Sequence, residues 1–266
     1  MLQTYFGEAT APLAPPTLFN FGPLPVTNSM VYGVLMAAIV LSIFVIAARA
    51  SQLWPKSRLA FWLESFTDLV MSMIIDTFGG DRRRAVKHFP LLISLFVFIL
   101  ACNLSGLLPG VGSITYNGAS LFRAWTTDLN STLAMATLAL LTVHIYALSE
   151  IGARGYFKHF FSGSLKSPLT IFIGINELIG EVLRLVTLSL RLFGVIYGGE
   201  ALLVAIEILA GNFSWAAALP IMFLEIFVAF VQAYLFMMLT ASYLVMAVSH
   251  GEPESSPEMQ PAAARS

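Results

Sequence analysis

The chain has 266 residues, of which 58% are hydrophobic and 11% charged, with a mean hydropathy of +0.81. Soluble domains carry about 25% charged residues, so this composition excludes a water-soluble globule and places most of the surface against lipid or other apolar helices. The net charge of −1 offers nucleic acid no attraction, and the single cysteine excludes an intrachain disulfide or a thiol metal centre. No metal and no organic cofactor is expected. Cys102 lies in an apolar run and reads as a packing residue.

Residues 1–30 contain no Lys or Arg, so they lack the positive start of a cleavable signal and form an extracytoplasmic N-terminal segment. Crossing hydrocarbon about 30 Å thick takes roughly 20 apolar residues in a helix. The first such run is Val31–Ala48, closed by Arg49. Over 57–78, Glu64, Asp68, Ser72 and Asp76 recur every fourth position, with Trp62, Phe66, Leu69, Met73 and Ile74 on the other side. That pattern predicts an amphipathic helix lying in the membrane interface. Further spans follow at Phe89–Leu108 and Leu129–Ser149. Two longer apolar stretches, about 168–210 and 215–249, complete a membrane domain over 31–249. The tail 250–266 holds three prolines and three glutamates and reads as a disordered cytoplasmic end.

The predicted fold is therefore all-α and integral to the membrane, with about five membrane helices plus the interfacial one. At 1.5 Å per residue the last two helices would measure roughly 63 and 51 Å, well beyond the hydrocarbon thickness. They are expected to lie steeply tilted as an antiparallel hairpin. Orientation follows from the basic residues. Arg49, Lys56, Arg58, Arg82, Arg83, Arg84 and Lys87 lie between the first two spans, and Arg154, Lys158 and Lys166 lie after the third, whereas the loop 109–128 has only Arg123. This predicts an external N-terminus and a cytoplasmic C-terminus. No internal repeat is visible, which weighs against an inverted-repeat transporter.

The fifth span carries Glu177, Glu181, Arg184, Arg191, Glu200 and Glu207. Each charge at bilayer depth costs on the order of 3 kcal/mol on insertion scales, so such residues face a bundle interior or a water-filled path. Arg191 has no acid within four residues and cannot lose its proton, so its partner must come from outside the helix. At about 100° per residue, Glu177, Glu181, Arg184 and Arg191 share a face, while Glu200 falls on the opposite side roughly 13.5 Å further along. In the sixth span Glu225 and Gln232 are seven apart and share a face. An antiparallel pair centred on the turn at 211–214 sets Glu200 opposite 225, and Arg191 opposite 234, within a turn of Gln232. Two carboxylates meeting in a low dielectric cannot both ionise easily, which suits them to passing a proton. Glu207, near a helix end, reads as snorkelling to the interface. His144 reads as a packing histidine with a relay role as the other possibility, and Gly180, Gly194, Gly198 and Gly199 as sites of close helix approach. An independent ion-coupled secondary transporter also accounts for intramembrane acids; a purely structural scaffold leaves Arg191 unexplained.

Leu188–Glu200, LSLRLFGVIYGGE, resembles the signature segment of ATP synthase subunit a. Three further pieces resemble that family in order: Asn103–Pro109 (NLSGLLP), Thr127–Thr132 (TDLNST), and Leu219-Pro220 leading to Gln232-Ala233-Tyr234 and Leu239-Thr240. The resemblance covers roughly residues 25–250. It implies a proton-conducting stator subunit, not catalytic alone, working with a ring of c subunits, peripheral-stalk b subunits and the other subunits of the synthase. By motif position, Arg191 would face the ring's carboxylates and separate two offset half-channels. Glu200, Glu225, Gln232, Asn103 and Asp128 would line the outer one, and Glu177, Glu181, Arg184 and Thr187 the cytoplasmic one. Val195 and Gly106 replace a frequent Asn and a common Asp, and Glu225 stands where many members carry His. The paired acids and the absence of a transit peptide point to a bacterial plasma (inner) membrane.

Overall fold

The computed structural model describes residues 16–21, 24–50, 58–108, 115–116, 119–120, 123–160 and 168–249. The predicted disordered tail, the start of the N-terminal segment, and Lys56 and Lys166 fall outside these residues. Six helices dominate: α1 (Asn28–Ala50), α2 (Arg58–Thr77), α3 (Arg82–Gly106), α4 (Leu129–Phe160), α5 (Pro168–Ala210) and α6 (Ser214–Ser249). Stretches of α1, α3, α4, α5 and α6 are long and apolar enough to cross a membrane: Asn28–Ile46, Arg82–Gly106, Leu129–Glu150, Gly174–Ala210 and Ser214–Ala247. The chain is an all-α, multi-pass membrane protein.

Two small antiparallel pairs have no counterpart in the sequence reading. Strands β1 (Thr17–Phe21) and β2 (Leu24–Thr27) form a hairpin ahead of α1, and β3 (Thr115–Tyr116) pairs with β4 (Ala119–Ser120) between α3 and α4. Strands of two to five residues are too short to register as a period-2 pattern. The first hairpin runs straight into α1, where the Asn28 amide donates to the Pro16 carbonyl at 3.3 Å.

Helix ends follow local chemistry. Gly79 and Gly80 adopt φ of 64° and 87°, the left-handed backbone glycine tolerates, and turn α2 into α3. The Asp81 carboxylate then accepts from the amides of Arg83 at 3.0 Å and Arg84 at 3.2 Å, capping α3. This cap starts α3 seven residues before the apolar run at Phe89, so the basic segment belongs to the helix. Helix α4 runs past Ser149 to Phe160, broken at Gly152 with φ 77° and ψ 156°. That combination is open essentially to glycine alone.

One core joins all the helices but α1. Val70 and Ile74 enter it from α2, Leu92, Phe96 and Ile99 from α3, and Ala136 and Ala139 from α4. Leu188 and Leu192 of α5 meet Ala233, Phe236, Met237 and Ala241 of α6 there. Lipid tails are as apolar as leucine, so helix association rests on close packing, and the buried alanines allow it. The polar face of α2 (Glu64, Asp68, Ser72, Asp76) is exposed as expected. Its apolar side divides: Phe66, Val70 and Ile74 reach the core, while Trp62 and Leu69 stay outside. Helices α3 and α4 are also tied at their basic end, where Glu150 bonds Lys87 and lies 3.2 Å from the His88 Nε2. The His88 ring stacks on Phe78 and meets the edge of Tyr146.

Candidate functional site: charges on the α5–α6 hairpin

Helices α5 and α6 form the antiparallel pair, joined by a tight 3-10 turn at Gly211–Phe213 in which Gly211 takes a φ of 52°. Leu188 and Leu192 are fully buried, and Ser189 shares a 3.3 Å hydrogen bond with Thr132 of α4. With those positions turned inward, the helical period turns Thr187, Arg191, Gly194 and Gly198 outward, and all four are exposed. The apolar stretch of α5 is the least buried of the five spans. Among the described residues Arg191 makes no hydrogen bond or ion pair. The counterion it needs does not come from the described part of its own chain.

On the side of Arg191 towards Gly211 the two acids meet. Glu225 of α6 lies directly on Gly199: a methyl group built there would stand 2.6 Å from the Glu225 Oε1. Glu200 is close enough for its charge to act on Glu225, and the Arg123 guanidinium acts in turn on Glu200. The counted register, 200 against 225, is thus the register of the hairpin. Asn103, at the end of α3, donates to the Ala229 carbonyl of α6 at 3.4 Å. Gln232 is buried one helical turn further on. Four side-chain atoms here are buried with no hydrogen-bond partner among the described residues: Asn103 Oδ1, Glu200 Oε2, Glu225 Oε1 and Gln232 Nε2. Orphaned buried polar atoms each cost about 1–3 kcal/mol, and such groups are ordinarily satisfied by protein or by ordered water.

Asp128 sits differently. It caps α4, accepting from the Asn130 amide at 3.0 Å and the Ser131 hydroxyl at 3.3 Å. It also accepts from the Ser29 hydroxyl at 2.7 Å, linking the start of α1 to the start of α4. Its carboxylate therefore helps hold the fold at this end. Arg123, which the sequence offered only as a lone basic loop residue, is buried there and donates to the Thr127 hydroxyl at 3.1 Å and the Thr127 carbonyl at 3.3 Å. A buried arginine in a loop leaves no periodic signal. Gly106 has a steric reason of its own: a Cβ there would approach that of Ala124 to 2.8 Å. The aspartate expected in relatives has no room in this packing.

Towards the other end of α5, Arg184 donates through Nη1 to Glu181 Oε1 at 2.6 Å. Its guanidinium lies 5.0 Å over the Tyr243 ring and reaches the Met246 sulfur at 3.2 Å. Glu177, half-buried, is one turn earlier. Thr187 returns its hydroxyl to its own helix, to the Leu183 carbonyl at 2.8 Å and that of Arg184 at 3.1 Å. His144, expected as a packing histidine with a relay role as the other possibility, lies beside this pair. Its Nε2 lies 3.5 Å from Glu181 Oε2, so the ring belongs to this charged cluster. The pairing joins α4 to α5 across a sequence gap that no local pattern spans. The four α5 glycines divide too: a Cβ would meet nothing within 4 Å at Gly180, Gly194 or Gly198, and of the four only Gly199 is in close approach to another described residue.

Residues 30–245 match the family described as ATP synthase A chain. Among curated relatives, "ATP synthase subunit a" of Moorella thermoacetica is 30% identical over 89% of this chain and 97% of its own length. "ATP synthase subunit a 2" of a Bradyrhizobium species is 34% identical over 90% of this chain and 96% of its own. "ATP synthase subunit a" of Desulfotalea psychrophila is 36% identical over 70% of this chain and 72% of its own.

Proposed function

Since this chain belongs to the ATP synthase A chain family, we propose that it is the proton-conducting stator subunit of the membrane sector. In this reading it couples proton flow to rotation of a c-subunit ring and so to ATP synthesis. It is not catalytic alone; its partners are the c ring, the peripheral-stalk b subunits and the other synthase subunits. It resides in a bacterial plasma membrane with its N-terminus outside, its C-terminus cytoplasmic and the α5–α6 hairpin steeply tilted.

The observation that carries the reading is Arg191. It is a permanently charged group near the middle of an apolar 43-residue helix, exposed, and without a partner among the described residues. A carboxylate carried past on a neighbouring ring completes it. The guanidinium attracts that carboxylate in its ionised form and repels a proton in the gap between the two sides, so the proton leaves before the carboxylate passes. The outer half-channel is formed by Glu200, Glu225, Gln232 and Asn103, whose orphaned buried atoms are suited to water and to proton hand-over, with Asp128 bracing its rim. Glu177, Glu181, Arg184 and Thr187 form the cytoplasmic half-channel. One charge crossing 100 mV supplies about 2.3 kcal/mol, so several protons must be summed for each nucleotide, which a stepping ring does.

The test is Arg191→Ala in the assembled synthase in inverted membrane vesicles. ATP-driven proton pumping is expected to vanish while the complex remains assembled. Pumping at the unsubstituted rate would overturn the proposal.

A further inference from the structure

We infer that His144 is a proton-transfer residue at the cytoplasmic end of the path, exchanging protons between Glu181 and water. The inference rests on the conducting role proposed above and adds to that route a residue from a different helix.

Its basis is geometry. The His144 Nε2 faces Glu181 Oε2 at 3.5 Å, within the span one rotamer adjustment closes to a hydrogen bond. The other carboxylate oxygen is held by Arg184 at 2.6 Å, which fixes the carboxyl group and leaves Oε2 turned to the imidazole. Neither group is sealed off: the His144 side chain is 32% and the Glu181 side chain 20% exposed. His144 thus bridges a partly exposed carboxylate and the outside.

Several other titratable and charged groups lie on the elements packed against this part of α4. Helix α5 brings Glu177, Glu181 and Arg184. Helix α6 brings Tyr243, whose ring lies under Arg184. From α3, Lys87 and His88 are both engaged by Glu150, six residues beyond His144 on its own helix. His88 is fully buried and Lys87 is bound in that separate cluster, so His144 is the imidazole placed to serve Glu181.

The step balances simply. In the outward direction for this path, a protonated Glu181 gives its proton from Oε2 to the unprotonated Nε2 of His144. The carboxylate left behind is neutralised by Arg184, and the imidazolium releases a proton to water from its exposed side. Uptake is the reverse. Imidazole is suited to both directions because its ring nitrogens can each accept or donate a proton.

The experiment uses the full synthase reconstituted in liposomes, with passive proton flux measured after removal of the catalytic head, for the unsubstituted protein and His144→Gln. Flux is expected to fall about tenfold or more. Free imidazole at millimolar concentration on the exposed side is expected to restore it, and the dependence of flux on pH on that side to flatten in the variant. Unchanged flux overturns the inference. A fall that imidazole does not relieve, in a complex shown to be assembled, also overturns it and returns His144 to a packing role. Arg191→Ala in parallel keeps the two claims separate: loss of pumping there with normal flux in His144→Gln refutes only the histidine, whereas normal pumping in Arg191→Ala refutes the conducting role itself.

Discussion

Gly199→Ala isolates the Glu200–Glu225 pair without touching a charge. The added methyl would stand 2.6 Å from Glu225 Oε1 and 3.3 Å from both Cδ and Cγ of the same side chain. A comfortable carbon–oxygen separation is about 3.4 Å, so the carboxylate must retreat by roughly 0.8 Å or the helices must part. The clashing atom is the free end of a flexible side chain, so the cost lies at the low end of overpacking, about 1 kcal/mol. If that displacement falls on the proton hand-over between Glu225 and Glu200, tenfold per 1.4 kcal/mol converts it to a slowing of about fivefold. The assay is ATP-driven proton pumping in inverted vesicles, alongside ATP hydrolysis by the same complexes to confirm assembly. Glu225→Asp, one methylene shorter, draws the carboxylate oxygens back from the added methyl and should restore part of the rate when combined with Gly199→Ala. Unimpaired pumping by Gly199→Ala, or a double variant no better than the single, would refute the reasoning that Glu225 works from its seat on Gly199.

Gly106→Ala should destabilise the packing of the end of α3 by about 1–3 kcal/mol, because its Cβ would come within 2.8 Å of Ala124. A lowered melting temperature of the detergent-solubilised complex, largely reversed by Ala124→Gly, is the expected result. Glu200→Gln and Glu225→Gln are each expected to cut pumping severely. Their combination should cost far less than the sum of the two, because acids acting as one proton relay lose their function with either member; additive effects would show two independent roles.

How much of this was legible before any coordinates depended on the range of the interaction. The α5–α6 hairpin was, because the bilayer sets a length scale and the helical period fixes faces. From those alone, Glu200 falls opposite 225 and Arg191 stands without an acid within four residues on its own helix. The helix limits at 168 and 210 were equally readable, since Pro168 and the Gly211 turn mark them chemically. The start of α3 was not, because hydropathy sees Phe89 while the helix begins at the Asp81 cap. The extension of α4 to Phe160 escaped for the same reason: Arg154 and Lys158 read as loop charge rather than as helix. What stayed hidden altogether were contacts between distant segments. His144 with Glu181, Gly106 with Ala124, and Ser29 with Asp128 each join pieces that no local pattern relates. Asp128 shows the same limit, since its bond to Ser29 across 99 residues, beside its cap on Asn130 and Ser131, leaves no trace in any local pattern.

The central claim is that the Arg191 face of α5 meets a carboxylate-bearing helix of another subunit. Disulfide crosslinking in the membrane tests it most directly, with Cys102 replaced so that each introduced thiol is the only one in the chain. Cysteines at the exposed positions Thr187, Gly194 and Gly198 should crosslink to cysteines flanking the ring carboxylate, whereas cysteines at the buried positions Leu188 and Leu192 should not. Crosslinks absent from all three exposed positions, in complexes that are fully assembled, would contradict the account.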